Sequence, residues 1–357
     1  DSWQRTFNAW NEQIAAAQAA EPDITWDVLD ARYGECPWPP PVTPFSQYHV
    51  TGAFNAMVRR LAPFSTRGVL WYQGEEDEQR YASYRELLGC MIGEWRALWS
   101  RRAGGDFSDS YNVGRFVADD AARGHGAEPI ADTPAATVGN EAELPFIIVQ
   151  LPRWIDQKEY NSGIDRMFWP HIREAQADAA RIIPDVYLAV TFDTGEFNNI
   201  HPTDKRPVGE RIALQAEAHV YGLPVRADGP VFVSLASASE TADELQVRFG
   251  NADGLHFGPW SGSDDAGHLS AVHSSGSGET EPLWTVNRCD AAASGFEIAG
   301  SDGIYHRADA RIEADTVVLH ANAVSHPICA RYGWFSWGPA PLFNAFGLPA
   351  APFRIRK

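Results

Sequence analysis

The run Gly68-Val69-Leu70-Trp71-Tyr72, followed at once by Gln73-Gly74-Glu75, decides the fold. Its apolar residues show no polar alternation, which reads as a buried parallel strand, since a strand covered on both faces has no solvent side. Gly74 permits a sharp turn. Residues 81–99 then read as an amphipathic helix with Leu87, Leu88, Met91, Ile92 and Trp95 on its apolar face. The same alternation returns downstream: strand at 145–151, helix at 168–180, strand at 186–192, helix at 204–221. Strands and helices in alternation predict a parallel α/β sheet.

Working outward, Trp3, Phe7, Trp10 and Ile14 fall at helical spacing over residues 2–20, a Pro-rich stretch breaks structure at 37–44, and 54–61 predicts a further helix. Residues 101–143, rich in Gly, Ala, Asp and Ser and without periodicity, read as a surface insertion. At Pro224 the pattern changes. Short β-type runs at 231–235, 245–249, 316–320 and 328–332, separated by Gly, Asp and Ser, predict a β-sandwich. The expected division is an α/β domain over 1–226 and a β-sandwich domain over 227–357, as suits a 357-residue chain longer than one core usually serves.

The formal charge of −18 disfavours nucleic acid and anionic membrane surfaces, and no apolar run has the length of a membrane span. Thirteen Trp offer flat faces for sugar stacking, although a buried core uses Trp as readily. The His residues show no HxH or HxxxH pairing and the four Cys no CxxC, so neither metal nor cofactor is expected. Four widely spaced Cys leave the redox compartment open, a secreted or extracytoplasmic one included.

Two strand-end loops carry candidate chemistry, because open α/β sheets bind ligands at the carboxyl ends of their strands. Gln73, Gly74 and Glu75 offer an amide, a tight turn and a carboxylate to a substrate. Residues 193–202, DTGEFNNIHP, place His201 in a loop between strand and helix, where an imidazole titrating near neutrality can serve as a general base. A glycoside hydrolase using Glu75, Glu76 and Asp77 as paired carboxylates is a competing reading, but adjacent acids ordinarily mark a solvated helix start.

Taken in order, these stretches resemble the sialate O-acetylesterase family of SGNH-type carbohydrate O-acetylesterases. RGVLWYQGE at 67–75, GEFNNIHP at 195–202 and GLPAAPFR at 347–354 carry the resemblance, with IREAQ at 172–176, KRPVGERIAL at 205–214 and GFEIAG at 295–300 between them. The resemblance implies a flavodoxin-like SGNH sheet, incomplete at its N-terminus, followed by the β-sandwich. It also implies a Ser-His esterase that removes O-acetyl groups from sugars, sialic acids first, without a cofactor. His201 and Asn199 match the family's catalytic positions, and Gln73, Gly74 and Glu75 its substrate-side block.

Three departures shape the expectation. The family's GQSN-like nucleophile block is absent, so the Ser is expected on an N-terminal segment or second chain, which joins an O-acetylated carbohydrate as the implied partners. Asn199 stands where many members have Asp, and Asn198 occupies the DxxH position, so Asp193, Glu196 or a carbonyl would orient His201. Asp77 replaces a possible amide donor. A catalytically inactive sugar-binding relative and an acetylxylan-type esterase are the alternatives.

Overall fold

A computed structural model of the chain describes residues 2–22, 24–38, 40–41, 49–62, 64–100, 144–237, 243–258 and 288–355. The predicted insertion at 101–143 lies outside them.

Three strands, β1 (Val69–Trp71), β2 (Phe146–Val149) and β3 (Val186–Ala189), form a parallel sheet in the order β1-β2-β3, with Val69 opposite Phe146 and Phe146 opposite Val186. β2 is buried along its whole length, as an apolar run covered on both faces should be. β1 departs from the expectation of burial: Val69 and Trp71 pack into the core around β2, while Leu70, on the opposite face, is 60% exposed.

The helices are α1 (Ser2–Ala20), α2 (Trp26–Tyr33), a π-type turn at Phe54–Val58 running into α3 (Arg59–Leu61), α4 (Tyr81–Ser100), α5 (Gln157–Ser162), α6 (Phe168–Ile182) and α7 (Arg206–Gln215). The predicted helix at 54–61 is thus divided between two helical geometries. α4 and α6 bury Leu88, Ile92, Trp169 and Ile172 against Phe146 and Ile148 of β2. Burying each such aliphatic side chain contributes about 1.5–3 kcal/mol. The predicted apolar face of α4 is overdrawn at Leu87, which is 58% exposed. Arg96 is buried in the same helix, donating to the carbonyls of Leu144, Pro184 and Asp185 and so holding it across the starts of β2 and β3. α7 packs on β3 and β2.

The later strands are β4 (Val231–Ser237), β5 (Glu244–Gly250), β6 (His256–Phe257), β7 (Arg288–Cys289), β8 (Phe296–Ala299), β9 (Tyr305–Arg307), β10 (Asp309–Glu313), β11 (Thr316–His320), β12 (Cys329–Tyr332), β13 (Leu342–Phe343) and β14 (Phe353–Arg354). They form a five-stranded sheet β4-β5-β11-β10-β7, a four-stranded sheet β14-β12-β8-β9 and the pair β13-β6, with every pairing antiparallel. Val247, Phe249, Val317 and Leu319 of the first sheet share one core with Phe296, Ile298, Ala330 and Tyr332 of the second.

The parallel and antiparallel parts are bound by buried groups. Phe192, just past β3, sits in the core of the antiparallel sheets against Tyr332 and Phe335. Arg173 of α6 is fully buried and donates to the carbonyls of Leu151, Pro152, Phe335 and Ser336. Burial pulls its guanidinium down to about 9, which leaves it charged at neutral pH. The C-terminal motif is built into the packing: Arg354 lies 3.8 Å over the ring of buried Trp334 and pairs with Glu174.

Candidate active site

The loops that follow β1, β2 and β3 meet at the carboxyl edge of the parallel sheet, with Lys205 Nζ 5.7 Å over the Tyr72 ring joining the first to the third. The β1 loop is the more tightly built. Gly74 is buried at φ +149°, and a Cβ there would lie 2.9 Å from Ile172 Cγ2. The Gln73 carbonyl accepts from the Tyr84 hydroxyl (2.9 Å) and from Gln176 Nε2 (3.0 Å), while the Gln73 amide donates to Asp77 Oδ2 at 2.6 Å. Arg80 completes the neutralisation of Asp77. Burial pushes the Tyr84 hydroxyl up to about 12, so it remains a donor. Glu75 opens a 3-10 turn, Glu75–Arg80, and its carboxylate has no hydrogen bond or ion pair among the described residues. Within that turn Glu78 accepts from Trp169 Nε1, and burial holds its carboxyl above the usual range.

The β3 loop is pinned at nearly every residue but its tip. Gly195 adopts φ +106° with Arg153 so close that a Cβ would sit 2.0 Å from the Arg153 carbonyl oxygen. The Arg153 N–H donates to the Thr194 carbonyl and its guanidinium to the Asp193 carbonyl at 2.8 Å. The Asp193 carboxylate is taken by both guanidinium nitrogens of Arg211, at 2.5 and 2.7 Å. Asn198, in the left-handed region at φ +54°, turns its amide oxygen to the N–H of Gln157, the first residue of α5. Glu196 accepts from the N–H and hydroxyl of Thr203 and from the Asn199 amide at 2.6 Å. Desolvation alone would raise the Glu196 carboxyl, but the Thr203 and Asn199 hydrogen bonds outweigh it and hold the group below its ordinary range. Ile200 packs against the core beneath α4 and α6.

At the tip stands His201. Its N–H donates to Asn199 Oδ1 at 3.1 Å, while its exposed ring has no hydrogen bond, ion pair or ring contact among the described residues. The structure therefore brings Asn199 and His201 into one loop but gives Asn199 a framework role, between Glu196 and the His201 backbone. Asp193 and Glu196, the two carboxylates the sequence offered beside a backbone carbonyl for orienting the imidazole, are both engaged elsewhere, and so is Asn198. Among the described residues no group of three His, Cys, Asp or Glu could hold a metal ion. All four cysteines are free.

The frame residues Arg153, Arg173, Gln176 and Arg211 drew no role from the sequence. A signal was present, since polar residues set among apolar ones beside a buried strand must find partners there.

No protein-family model matches the chain. Sialate O-acetylesterase of Homo sapiens is 25% identical over 174 residues, which cover 47% of this chain and 27% of the human protein. That of Rattus norvegicus is 26% identical over the same length, covering 26% of the rat protein. The match thus spans about a quarter of the mammalian relatives' length. A carbohydrate acetylesterase from Xanthomonas citri superposes with a TM-score of 0.57 at 27% identity, over 85% of this chain and 54% of that one. Relatives and structural neighbour agree with the motifs: the chain is sialate O-acetylesterase-like.

Proposed function

We propose that this sialate O-acetylesterase-like chain carries the general base of a carbohydrate O-acetylesterase, with sialic acids as the acetylated sugars, and that the nucleophilic Ser comes from polypeptide outside these residues. The observation that carries the reading is the His201 ring: exposed, unpartnered among the described residues, and held at the carboxyl edge of a parallel sheet by a loop whose other polar groups are engaged. The names of the mammalian relatives and of the Xanthomonas citri protein support the substrate class. An SGNH arrangement of residues 1–226 and a β-sandwich of 227–357 are the architecture proposed with it.

In this mechanism His201 takes the proton of the Ser hydroxyl as its oxygen attacks the acetyl carbonyl. The sugar oxygen leaves with that proton, and an acetyl-Ser remains. Water, deprotonated by His201, then releases acetate, and the proton returns to Ser. Gln73, Gly74 and Glu75 lie on the β1 loop beside the substrate, and the free Glu75 carboxylate is the group there able to accept from a sugar hydroxyl.

The test uses the chain together with the Ser-bearing polypeptide. His201→Ala should lower acetate release by about 100- to 10,000-fold, the usual worth of a general base, with an unchanged melting temperature because the side chain is exposed. Turnover close to wild type would remove His201 from the mechanism. A fluorophosphonate probe, located by mass spectrometry, should label a Ser on the other polypeptide. A second reading, a sugar-binding relative without catalysis, is favoured by the engagement of Asp193, Glu196 and Asn198 away from His201, and absence of any label would select it.

A further inference from the structure

Beside the His201 loop, a cleft of about 300 Å3 opens between α5 and the antiparallel sheets, with Tyr160, Phe335 and Trp337 among its walls. Small-molecule pockets run from roughly 300 to 1,000 Å3, so the space suits one compact ring. Its walls are fixed: Asp165 accepts from both the N–H (2.6 Å) and the hydroxyl (2.7 Å) of buried Ser336, tying the loop before α6 to the segment after β12.

The acids of the cleft are already satisfied. Glu159 is held by the Arg166 N–H and guanidinium, and Glu297 by both arms of Arg331. The guanidinium of Arg307, exposed on the wall, has no hydrogen bond or ion pair among the described residues. Aromatic planes beside polar groups with little unbalanced charge suit a polyhydroxylated ring, whose C–H face stacks while its hydroxyls hydrogen-bond.

The cleft also touches the candidate catalytic loop. Phe197, four positions before His201, lies with its ring 4.9 Å from Tyr160 and 5.7 Å from Trp337, both cleft walls. We propose that this cleft binds a pyranose residue of a glycan chain adjoining the acetylated sugar, so that oligosaccharides are preferred over free acetylated sugars. The preference rests on the esterase reading; the binding does not.

Calorimetric titration of the chain with lacto-N-tetraose, a galactose-ended chain of the kind that sialic acids adjoin, and with xylotetraose tests the binding. Saturable heat is expected with at least one of them, weakened about tenfold by Tyr160→Ala and by Trp337→Ala and retained in Tyr160→Phe, tenfold being the worth of about 1.4 kcal/mol of stacking. Tyr160 is 43% exposed on a short helix, so its replacement should leave the thermal melt unchanged. No heat with either sugar, or affinity unaltered in Tyr160→Ala, overturns the proposal. Because the readout is binding, loss of the esterase reading would leave this result standing, and the reverse holds equally.

Discussion

The β1 and β3 loops leave the same sheet edge and were both candidates, yet they spend their polar groups differently. In the β1 loop the Gln73 amide and carbonyl are both consumed by Asp77, Tyr84 and Gln176, and the Glu75 carboxylate is unengaged among the described residues. In the β3 loop Asp193, Glu196, Asn198 and Asn199 are consumed, and among the described residues one imidazole is left free. A residue type suited to catalysis is therefore no guide by itself: what matters is whether the neighbours have already used its hydrogen bonds.

The two glycines sharpen this contrast. Gly195→Ala should have the largest effect, about 4 kcal/mol or more, since left-handed strain adds to overlap with a backbone carbonyl that cannot retreat without releasing Thr194. Gly74→Ala should cost less, about 3 kcal/mol, because positive-φ strain is common to both positions but the obstructing atom at 2.9 Å is a side-chain methyl of Ile172 rather than a backbone carbonyl at 2.0 Å. Urea unfolding of both variants gives the ranking, and a reversed order would mean that the β1 loop is the more rigid of the two.

Much of the fold was legible because hydrophobic period encodes it. The unbroken apolar runs at β2 and β3 and the 3.6-residue spacing of α6 survive into the structure within a few residues of their predicted ends. The exposure of one face of β1 was not legible: Leu70 reads like Ile147 in sequence, and only the structure leaves the first exposed and the second buried. At the site, the placing of His201 in a loop between β3 and α7 could be read from its motif. The commitments of Asn198 to α5 and of Asp193 to Arg211 could not, since they depend on residues 41 and 18 positions away that only folding brings to the loop.

Asn199 gives the next prediction. A sequence argument that Asp is the usual residue there would expect Asn199→Asp to preserve or raise activity. The structure puts the Asn199 amide 2.6 Å from Glu196 Oε2, so a carboxylate would face a carboxylate. Losing that charge-assisted hydrogen bond should cost about 1–2 kcal/mol of loop stability. Hydrogen exchange at the His201 and Thr203 amides should quicken; unchanged exchange would show that Glu196 depends on Thr203 alone.

The smallest effect expected is a pH dependence, and its sign follows from Glu196. Its folded carboxyl titrates below the ordinary value, through Thr203 and Asn199 hydrogen bonds that outweigh desolvation. The stabilisation is therefore complete above the unfolded value, about 4.3 for a Glu side chain, and is lost as pH falls through the lower folded one. Thr203 and Asn199 amides should exchange faster, relative to the rest of the chain, as the solution is acidified across that window. In Glu196→Gln, where nothing titrates, the acid-induced loosening should vanish while a smaller, pH-independent loosening remains. Equal acid sensitivity in the two proteins would assign it to another carboxylate, with Asp193 and its Arg211 partner the nearest to examine.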